Sequence, residues 1–484
     1  MKLTELLAHA PITTITGSAE DLEIRGITKD SREVSEGYMF FATGSSKSFV
    51  REALEKKASV IVSDEPLPGD IPCLIIAHDV RRLLAGLAAR FYGFPSRELA
   101  VTGITGTNGK TTITYLIESI VRASGKKAGV IGTISYRYGD HVIRRPNTTP
   151  ESVEIQSLLR AMKERGVDHA VMEVSSHALD QGRVEEVEFD NAIFTNLTHD
   201  HLDYHGDFEN YRQAKALLFH HYLQKSQKEK KHAVINIDDP VASSLIPASP
   251  VTTLTYSTRG TADAHVISFK EDINGLSMKI AVKGGEIELI SPLVGLFNVS
   301  NILAAALFGH AAGIPAGIIK KGIESLPGVP GRLERVPTDR NLHVFVDYAH
   351  TPDALKKTIE TLNAVRSGRL IVVFGCGGNR DRTKRPVMGR IAAELADVAV
   401  ITSDNPRREE PTSIIEEIRA GITGNSFKVI ENRRTAIGEA IAMAKENDVV
   451  LIAGKGHEDY QIIGNATYPF SDRAVAEECL SVVR

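Results

Sequence analysis

The sequence predicts an α/β protein of three domains: a small N-terminal α/β domain, a central doubly wound domain and a C-terminal α/β domain. Three observations predict it. At 484 residues the chain exceeds what one hydrophobic core organises. From Leu99 onward, short apolar runs alternate with amphipathic stretches in the rhythm of βαβ units. The Pro- and Gly-punctuated segments "FYGFPSREL" and "LPGVPGRLERV" interrupt that rhythm as linkers do. The expected boundaries are 1–97, 98–331 and 332–484.

In the first domain "ASVIVSDE" and "CLIIA" read as strands and "VRRLLAGLAARFYG" as a helix. In the second, an apolar run and a glycine-rich turn lead into the amphipathic "TTITYLIESIVRASG", which Gly125 stops. The runs "AGVIGTIS", "HAVMEVSS", "NAIFTNLTHD" and "HAVINIDDP" follow. The last three end in polar or acidic residues, where an open parallel sheet binds its ligands. The third domain repeats the pattern with "LHVFVDYAH", "RLIVVFGCGG", "DVAVITSDNPR", "FKVIEN" and "DVVLIAGKGHE", separated by helical stretches such as "DALKKTIETLNAV" and "RRTAIGEAIAMAKEN". The charged "QKSQKEKKH" reads as a solvated loop, and no repeat of 20–50 residues is visible.

Composition narrows the function. The chain is 42% hydrophobic and 24% charged with formal net charge −4, so no large basic field exists and nucleic acid is not an expected partner. Cys73, Cys376 and Cys479 are too few and too scattered for a disulfide framework or a Cys-rich zinc site, which fits a reducing compartment. "MKLTELLAHAPITTITGSAED" lacks the pattern of a secretory leader, and no run of about 18 apolar residues occurs. A cytoplasmic protein without membrane insertion is expected.

The chemistry starts at "VTGITGTNGKTT", residues 101–112. Glycines at 103, 106 and 109 after an apolar strand let backbone N–H groups turn toward phosphates; Lys110 adds positive charge, and Thr111 offers a hydroxyl to Mg²⁺. ATP or GTP is the expected ligand, although Ile104 stands where the G-x-x-x-x-G-K-[ST] pattern has glycine. Other residues are ambiguous on their own. Glu173 at one predicted strand end and His201 beyond another read equally as satisfied polar residues. Lys215 reads as a helix-surface lysine, Asn236 and Asn298 as turn asparagines, and Ser31 with Arg32 as a surface turn.

The spacing G-x-x-G-x-x-G-K-[ST]-T resembles the ATP loop of the Mur ligases and the folylpolyglutamate synthetases, which join a carboxylate to an amine. Further motifs run along the chain: "DSR" at 30–32, "NTTP" at 147–150, "MEVSSHALDQGR" at 172–183, "TNLTHDHLDYHG" at 195–206, "YRQAKALLF" at 211–219, "GLFNVSN" at 295–301, "PGRLE" at 330–334, "VDYAHTPD" at 346–353, "GCGGNRD" at 375–381, "DNPR" at 404–407 and "GKGHEDYQ" at 454–461. As an ordered set they resemble the Mur ligases, in the branch that adds the third amino acid. The resemblance implies a UDP-sugar-binding domain, a P-loop ATPase domain and a Rossmann-like amino-acid-binding domain. It implies a monomeric, ADP-forming ligase of peptidoglycan precursor synthesis. That enzyme would add meso-diaminopimelate to the D-Glu γ-carboxylate of UDP-N-acetylmuramoyl-L-alanyl-D-glutamate through an acyl phosphate.

Residue by residue, the resemblance implies ATP contacts from Gly106, Thr107, Asn108, Gly109, Lys110, Thr111, Thr112, Asn298, Arg332 and Asp347, with Asn236 near the adenine and Tyr348 and His350 near the phosphates. It implies Mg²⁺ ligation by Thr111, Glu173, His201 and a carbamylated Lys215, and catalysis by Lys110, Lys215 and His201. The nucleotide-dipeptide would meet Ser31, Arg32, Thr148, Thr149, Ser175, Gln181 and Arg183; diaminopimelate would meet Arg380, Asp404, Asn405, Pro406, Arg407, Gly454 and Glu458. The chain departs from the family pattern at "SSKSFV", 45–50, which leaves the uracil contacts there unassigned. Two other readings stay open. One is an ATP-driven switch that makes no bond, which the two further motif-bearing domains disfavour; the other is a folylpolyglutamate synthetase, which "DSR" and "DNPR" disfavour.

Overall fold

The computed structural model describes residues 1–19, 21–144 and 147–482. The chain packs as two units, Met1–His265 with Val282–Gly284 and Leu303–Gly322, and Val266–Ala281 with Gly285–Ile302 and Ile323–Arg484. Among the described residues no helix is long and apolar enough to cross a membrane.

The first unit holds two sheets. The N-terminal one runs Thr14–Gly17, Cys73–Ile76, Val60–Ser63, Tyr38–Ala42, Gly26–Thr28, all parallel except the first pair. Its core joins Leu3, Met39, Phe41, Val60 and Val62 to Leu83, Leu84 and Leu87 of the helix Val80–Phe91. The larger sheet has Thr252–Ser257, His232–Asn236, Asn191–Phe194, Ala100–Thr105, His169–Glu173 and Ala128–Ile131 in parallel. Its inner strands are buried along almost their whole length, which is why they read as continuous apolar runs. Ala100–Thr105 lies between strands that follow it in the chain on both sides, so the crevice at its C-terminal end is where ligands bind in such sheets.

This explains Ile104. It is fully buried and paired in the sheet opposite Glu173 and Ile193, so the strand runs on to Thr105 and the loop begins only at Gly106.

The second unit contains a sheet ordered Glu334–Val336, His343–Asp347, Val449–Ala453, Leu370–Phe374, Val398–Ile401, Phe427–Val429, parallel apart from its first pair. Helices Pro352–Val365 and Lys384–Leu395 supply Leu355, Ile359 and Met388 to one apolar cluster; Arg433–Met443 supplies Ala436, Ile437 and Ile441 to another. "NAIFTNLTHD" and "DVAVITSDNPR" form shorter strands than their apolar pattern suggests, ending at Phe194 and Ile401. The remainder of each becomes a loop over the sheet's end.

Candidate functional site

The helix Lys110–Ala123 starts at Gly109, whose φ of +90° suits glycine. At Gly106 a Cβ would stand 1.9 Å from Thr195 Oγ1, so a side chain there cannot fit. The neighbouring strand's extension pins the loop: Thr107 N donates to Asn196 O at 2.8 Å, Asn108 N to Asn196 Oδ1 at 3.0 Å, and Thr195 Oγ1 to Asn108 O at 2.6 Å. Lys110 Nζ folds back onto the carbonyls of Gly106 (2.8 Å) and Thr107 (2.9 Å). Thr112 is buried in the first helical turn.

Glu173 closes the strand His169–Glu173 and is almost fully buried. Its Oε2 accepts from Thr111 Oγ1 at 3.0 Å and from Thr133 Oγ1 at 2.9 Å, and its Oε1 from Thr133 N at 2.9 Å. These are hard oxygen donors of the kind Mg²⁺ takes. The reading of Lys215 as a surface lysine is overturned: the residue is 2% exposed, because the helix Phe208–Leu217 turns Tyr211, Ala214 and Lys215 inward. Its Nζ donates to the same Gly106 carbonyl at 2.9 Å and lies 4.6 Å from the Tyr211 ring. Burial first, and the Lys110 ammonium second, push the Lys215 amine well below the ordinary lysine range against a weaker opposing pull from Asp200. Tyr211 in turn meets Thr107 Oγ1 at 3.1 Å.

His201 adopts φ +53° before the short helix Leu202–His205. Its ring is 4.8 Å from that of His177, and its Nε2 is 3.6 Å from Asp200 Oδ2. Among the described residues no three His, Cys, Asp or Glu side chains form a ready metal cluster. The oxygen donors gathered here are the Glu173 carboxylate and the Thr111 and Thr133 hydroxyls.

The residues expected for the dipeptide gather at the same strand end. Thr149 Oγ1 donates to Glu173 O at 2.8 Å and accepts from Ser175 N at 3.0 Å; Thr148 Oγ1 is 3.1 Å from Thr133 Oγ1. Arg183 reaches Thr149 O at 3.0 Å and Gln181 Oε1 at 2.7 Å, while Gln181 Nε2 donates to Tyr204 OH at 3.0 Å. Gln181 and Arg183 also line a cavity of about 560 Å³ with Ser31, Arg32, Ser45, Ser46 and Phe49. The unassigned segment 45–50 thus contributes to its wall, as part of a short 3₁₀ helix, Gly44–Phe49. Ser31 Oγ donates to Glu52 Oε2 at 2.8 Å.

In the second unit, Arg407 has φ +54°, its N donates to Ile462 O at 3.0 Å and its Nη1 to Gly378 O at 3.0 Å. Among the described residues that guanidinium meets carbonyl oxygens and no carboxylate within salt-bridge distance. Arg380 is exposed, its Nη1 3.2 Å from Asn379 O. Asn405 Nδ2 donates to Glu458 Oε2 at 2.9 Å, and the fully buried Lys455 ammonium donates to the same oxygen at 3.1 Å. Asp404 Oδ1 accepts from Asn405 N at 2.6 Å, and a Cβ on Gly454 would approach Asp404 Oδ2 to 2.8 Å. A Cβ on Gly378 would strike the Pro406 carbonyl at 1.9 Å, so the two loops interlock through backbone.

Of the residues expected around the adenosine, Asn236 belongs to the first unit and Asn298, Arg332 and Asp347 to the second. Asn298 lies in the first turn of the helix Phe297–Ala311, its Nδ2 on Val294 O at 2.8 Å; Asn236 Nδ2 donates to Thr195 O at 2.6 Å. Asp347 accepts Leu333 N at 2.7 Å and Ala349 N at 2.8 Å, and burial pushes its carboxyl up. The Arg332 guanidinium lies 5.3 Å from the Tyr348 ring, and His350 Nδ1 lies 2.8 Å from Tyr348 O.

Thr133, Thr195, Asn196, Tyr211 and Lys455 escaped the sequence reading. Thr133, Thr195 and Asn196 follow strand ends of a parallel sheet within two residues, and that position was the available signal. Tyr211 and Lys455 sit inside recognised motifs but gave no sign of their partners.

The chain is 45% identical over 485 residues to a UDP-N-acetylmuramoyl-L-alanyl-D-glutamate–2,6-diaminopimelate ligase from Bacillus licheniformis, covering 99% of each. It is 44% identical to the protein of the same name from Bacillus velezensis, covering 98% of each. A solved structure carrying that enzyme name superposes with a TM-score of 0.74 at 33% identity, over 100% of this chain and 99% of the other. Residues 104–309 match the Mur ligase middle domain and residues 331–456 the Mur ligase glutamate ligase domain, and the chain belongs to the Mur ligase family.

Proposed function

We propose that the protein is an ADP-forming ligase that adds meso-diaminopimelate to the D-Glu γ-carboxylate of UDP-N-acetylmuramoyl-L-alanyl-D-glutamate, working as a monomer in the cytoplasm. One observation carries the reading. Glu173 joins both halves of the chemistry, its carboxylate taking Thr111 of the phosphate loop and its carbonyl taking Thr149 beside Ser175 and Arg183. A transferred phosphate and an acceptor carboxylate would therefore meet at one strand end.

In the proposed reaction a γ-carboxylate oxygen attacks the γ-phosphorus of ATP, the bond to the β-phosphate oxygen breaks, and ADP leaves an acyl phosphate behind. The amine of diaminopimelate then attacks the acyl carbon, inorganic phosphate departs, and the nitrogen loses its proton as the amide forms. Lys110 leaves its carbonyl partners for the phosphates and offsets charge as it develops. Arg183 presents a fork suited to a substrate carboxylate, and Phe49 offers an aromatic face at the cavity wall. Thr111, Glu173, His201 and a carbamylated Lys215 would hold Mg²⁺, which would supply charge neutralisation during phosphoryl transfer. Burial favours the neutral Lys215 amine, which is the form that attacks CO₂ and loses a proton to give the carbamate. For the amino acid, Arg407 and Arg380 would receive the far carboxylate, and Asp404, Asn405 and Glu458 the ammonium beside it.

The test is ADP release from the purified chain with ATP and Mg²⁺, supplied either with the UDP-muramoyl-dipeptide plus diaminopimelate or with a folate plus glutamate. Release that requires the nucleotide-dipeptide supports the reading. Release that responds to folate instead reverts the chain to its nearest rival.

A further inference from the structure

Resting on that reading, we infer that Arg385 is a positioning residue for amino-acid selection, a buried guanidinium that sets the two arginine-bearing loops in register. Arg385 occupies the first turn of the helix Lys384–Leu395 and has no solvent exposure. It grips Glu409 with both prongs, Nη1 on Oε2 at 2.8 Å and Nη2 on Oε1 at 3.0 Å. Nη1 also reaches Glu417 Oε2 at 2.8 Å, and Nη2 reaches the carbonyl of Gly377 at 3.2 Å. Glu409 lies two residues beyond Arg407, and Gly377 three before Arg380, so one side chain is tied to both loops proposed to hold the far carboxylate.

The tie is completed through backbone. Glu409 Oε1 accepts from Asn379 N, Asn379 Oδ1 accepts from Arg408 N at 3.1 Å, and Gly378 N donates to Asn405 O at 2.9 Å. Arg407 itself donates to Gly378 O, and a Cβ on Gly377 would come within 3.0 Å of its Nη1. The position of the Arg407 fork is thus decided by how closely the loop 375–381 approaches the loop 404–410. A planar guanidinium with donors on three acceptors fixes that approach in a way that a lysine's single ammonium cannot. A carboxylate bound by two forks is sensitive to such registration, since displacements near 1 Å can cost about 10²-fold.

The experiment measures steady-state kinetics of the full chain with meso-diaminopimelate and with lysine, each substrate varied in turn at saturating concentrations of the others, for wild type, Arg385→Lys, Arg385→Met and Glu409→Gln. Glu409→Gln keeps the Glu417 partner and decides the matter if the Arg385 variants do not fold. The expected result is a KM for diaminopimelate raised about tenfold or more with kcat little changed, unmoved KM values for the two nucleotides, and a narrowed preference over lysine. A variant set with wild-type KM for diaminopimelate overturns the inference. So does a fall in kcat together with a rise in all three KM values and a lowered melting temperature, which marks a merely structural pair. A wild type that shows no preference for diaminopimelate removes the functional reading itself, a failure distinguishable from these.

Discussion

The phosphate loop of the first unit and the paired loops 375–381 and 404–410 of the second solve the same problem, holding cations ready for an anion, in different ways. The phosphate loop uses backbone. Lys110 and Lys215 share the Gly106 carbonyl, and the loop's shape comes from glycine dihedrals, from N–H groups that donate to Asn196, and from the Asn108 carbonyl that accepts from Thr195 Oγ1. The paired loops use buried charge. Arg385 rests on Glu409 and Glu417, Arg433 on Asp472 with both prongs at 2.7 Å, and Lys455 on Glu458. In the proposed reaction, backbone would receive a triphosphate tail common to many nucleotides, whereas side chains fixed by distant partners would tell the end of one amino acid from another.

The comparison breaks most readily at Lys110. Lys110→Ala should lower kcat by about 10³-fold, because no other group on the loop supplies a mobile positive charge to the γ-phosphate; near-normal ADP release would remove the loop from the mechanism. Lys215→Ala should lose about 10–100-fold in activity and recover part of it in added formate or acetate, which replace the missing carboxylate-like oxygen. A fully active variant would leave the buried lysine with packing alone. At the other site, Arg407→Ala should raise KM for diaminopimelate by about tenfold to a hundredfold through the lost charge-assisted bonds, with KM for ATP unmoved. A change in ATP affinity would contradict the assignment of Arg407 to the amino acid alone.

Smaller effects sharpen the contrast. The Arg385 guanidinium, with the Asn379 N–H beside it, holds the Glu409 carboxyl at about 2 against an ordinary 4.5. A depressed carboxylate stabilises the fold fully above its unfolded value and ceases to do so as pH falls from 4.5 toward about 2. The stability difference between wild type and Glu409→Gln should therefore be constant above pH 5 and shrink below it, in urea unfolding series across pH. Ile104→Val should cost about 1 kcal/mol of stability and leave KM for ATP unchanged, as a strand position outside the loop requires. A tightened nucleotide KM would put residue 104 back in the loop.

Much of this was legible in the chain because it is local. Hydrophobic period located the strands of both parallel sheets, and the glycine spacing located the loop after Thr105. Glu173 was visible as a strand end. Lys215 was not: nothing in "YRQAKALLF" reports that Phe189 and Leu218 pack against the strand bearing Gly103 and leave the lysine facing Gly106. Arg385 was illegible for the same reason, since its partners lie 24 and 32 residues away and become neighbours only when the sheet forms. Within the segment 45–50, which carried no recognised motif, Ser45, Ser46 and Phe49 line the cavity. Position in the fold, which sequence gives only through tertiary contact, decided each of these.

In the proposed reaction the second unit's arginines select diaminopimelate. The direct measurement is product formation by the wild-type chain with ATP, Mg²⁺ and the UDP-muramoyl-dipeptide, in parallel with meso-diaminopimelate, with lysine and with no amino acid. Rapid tripeptide formation with diaminopimelate is expected, with a kcat/KM for lysine lower by about 10⁴-fold and no tripeptide without an amino acid, since lysine leaves the Arg407 guanidinium without a carboxylate partner. Equal use of lysine and diaminopimelate would contradict it.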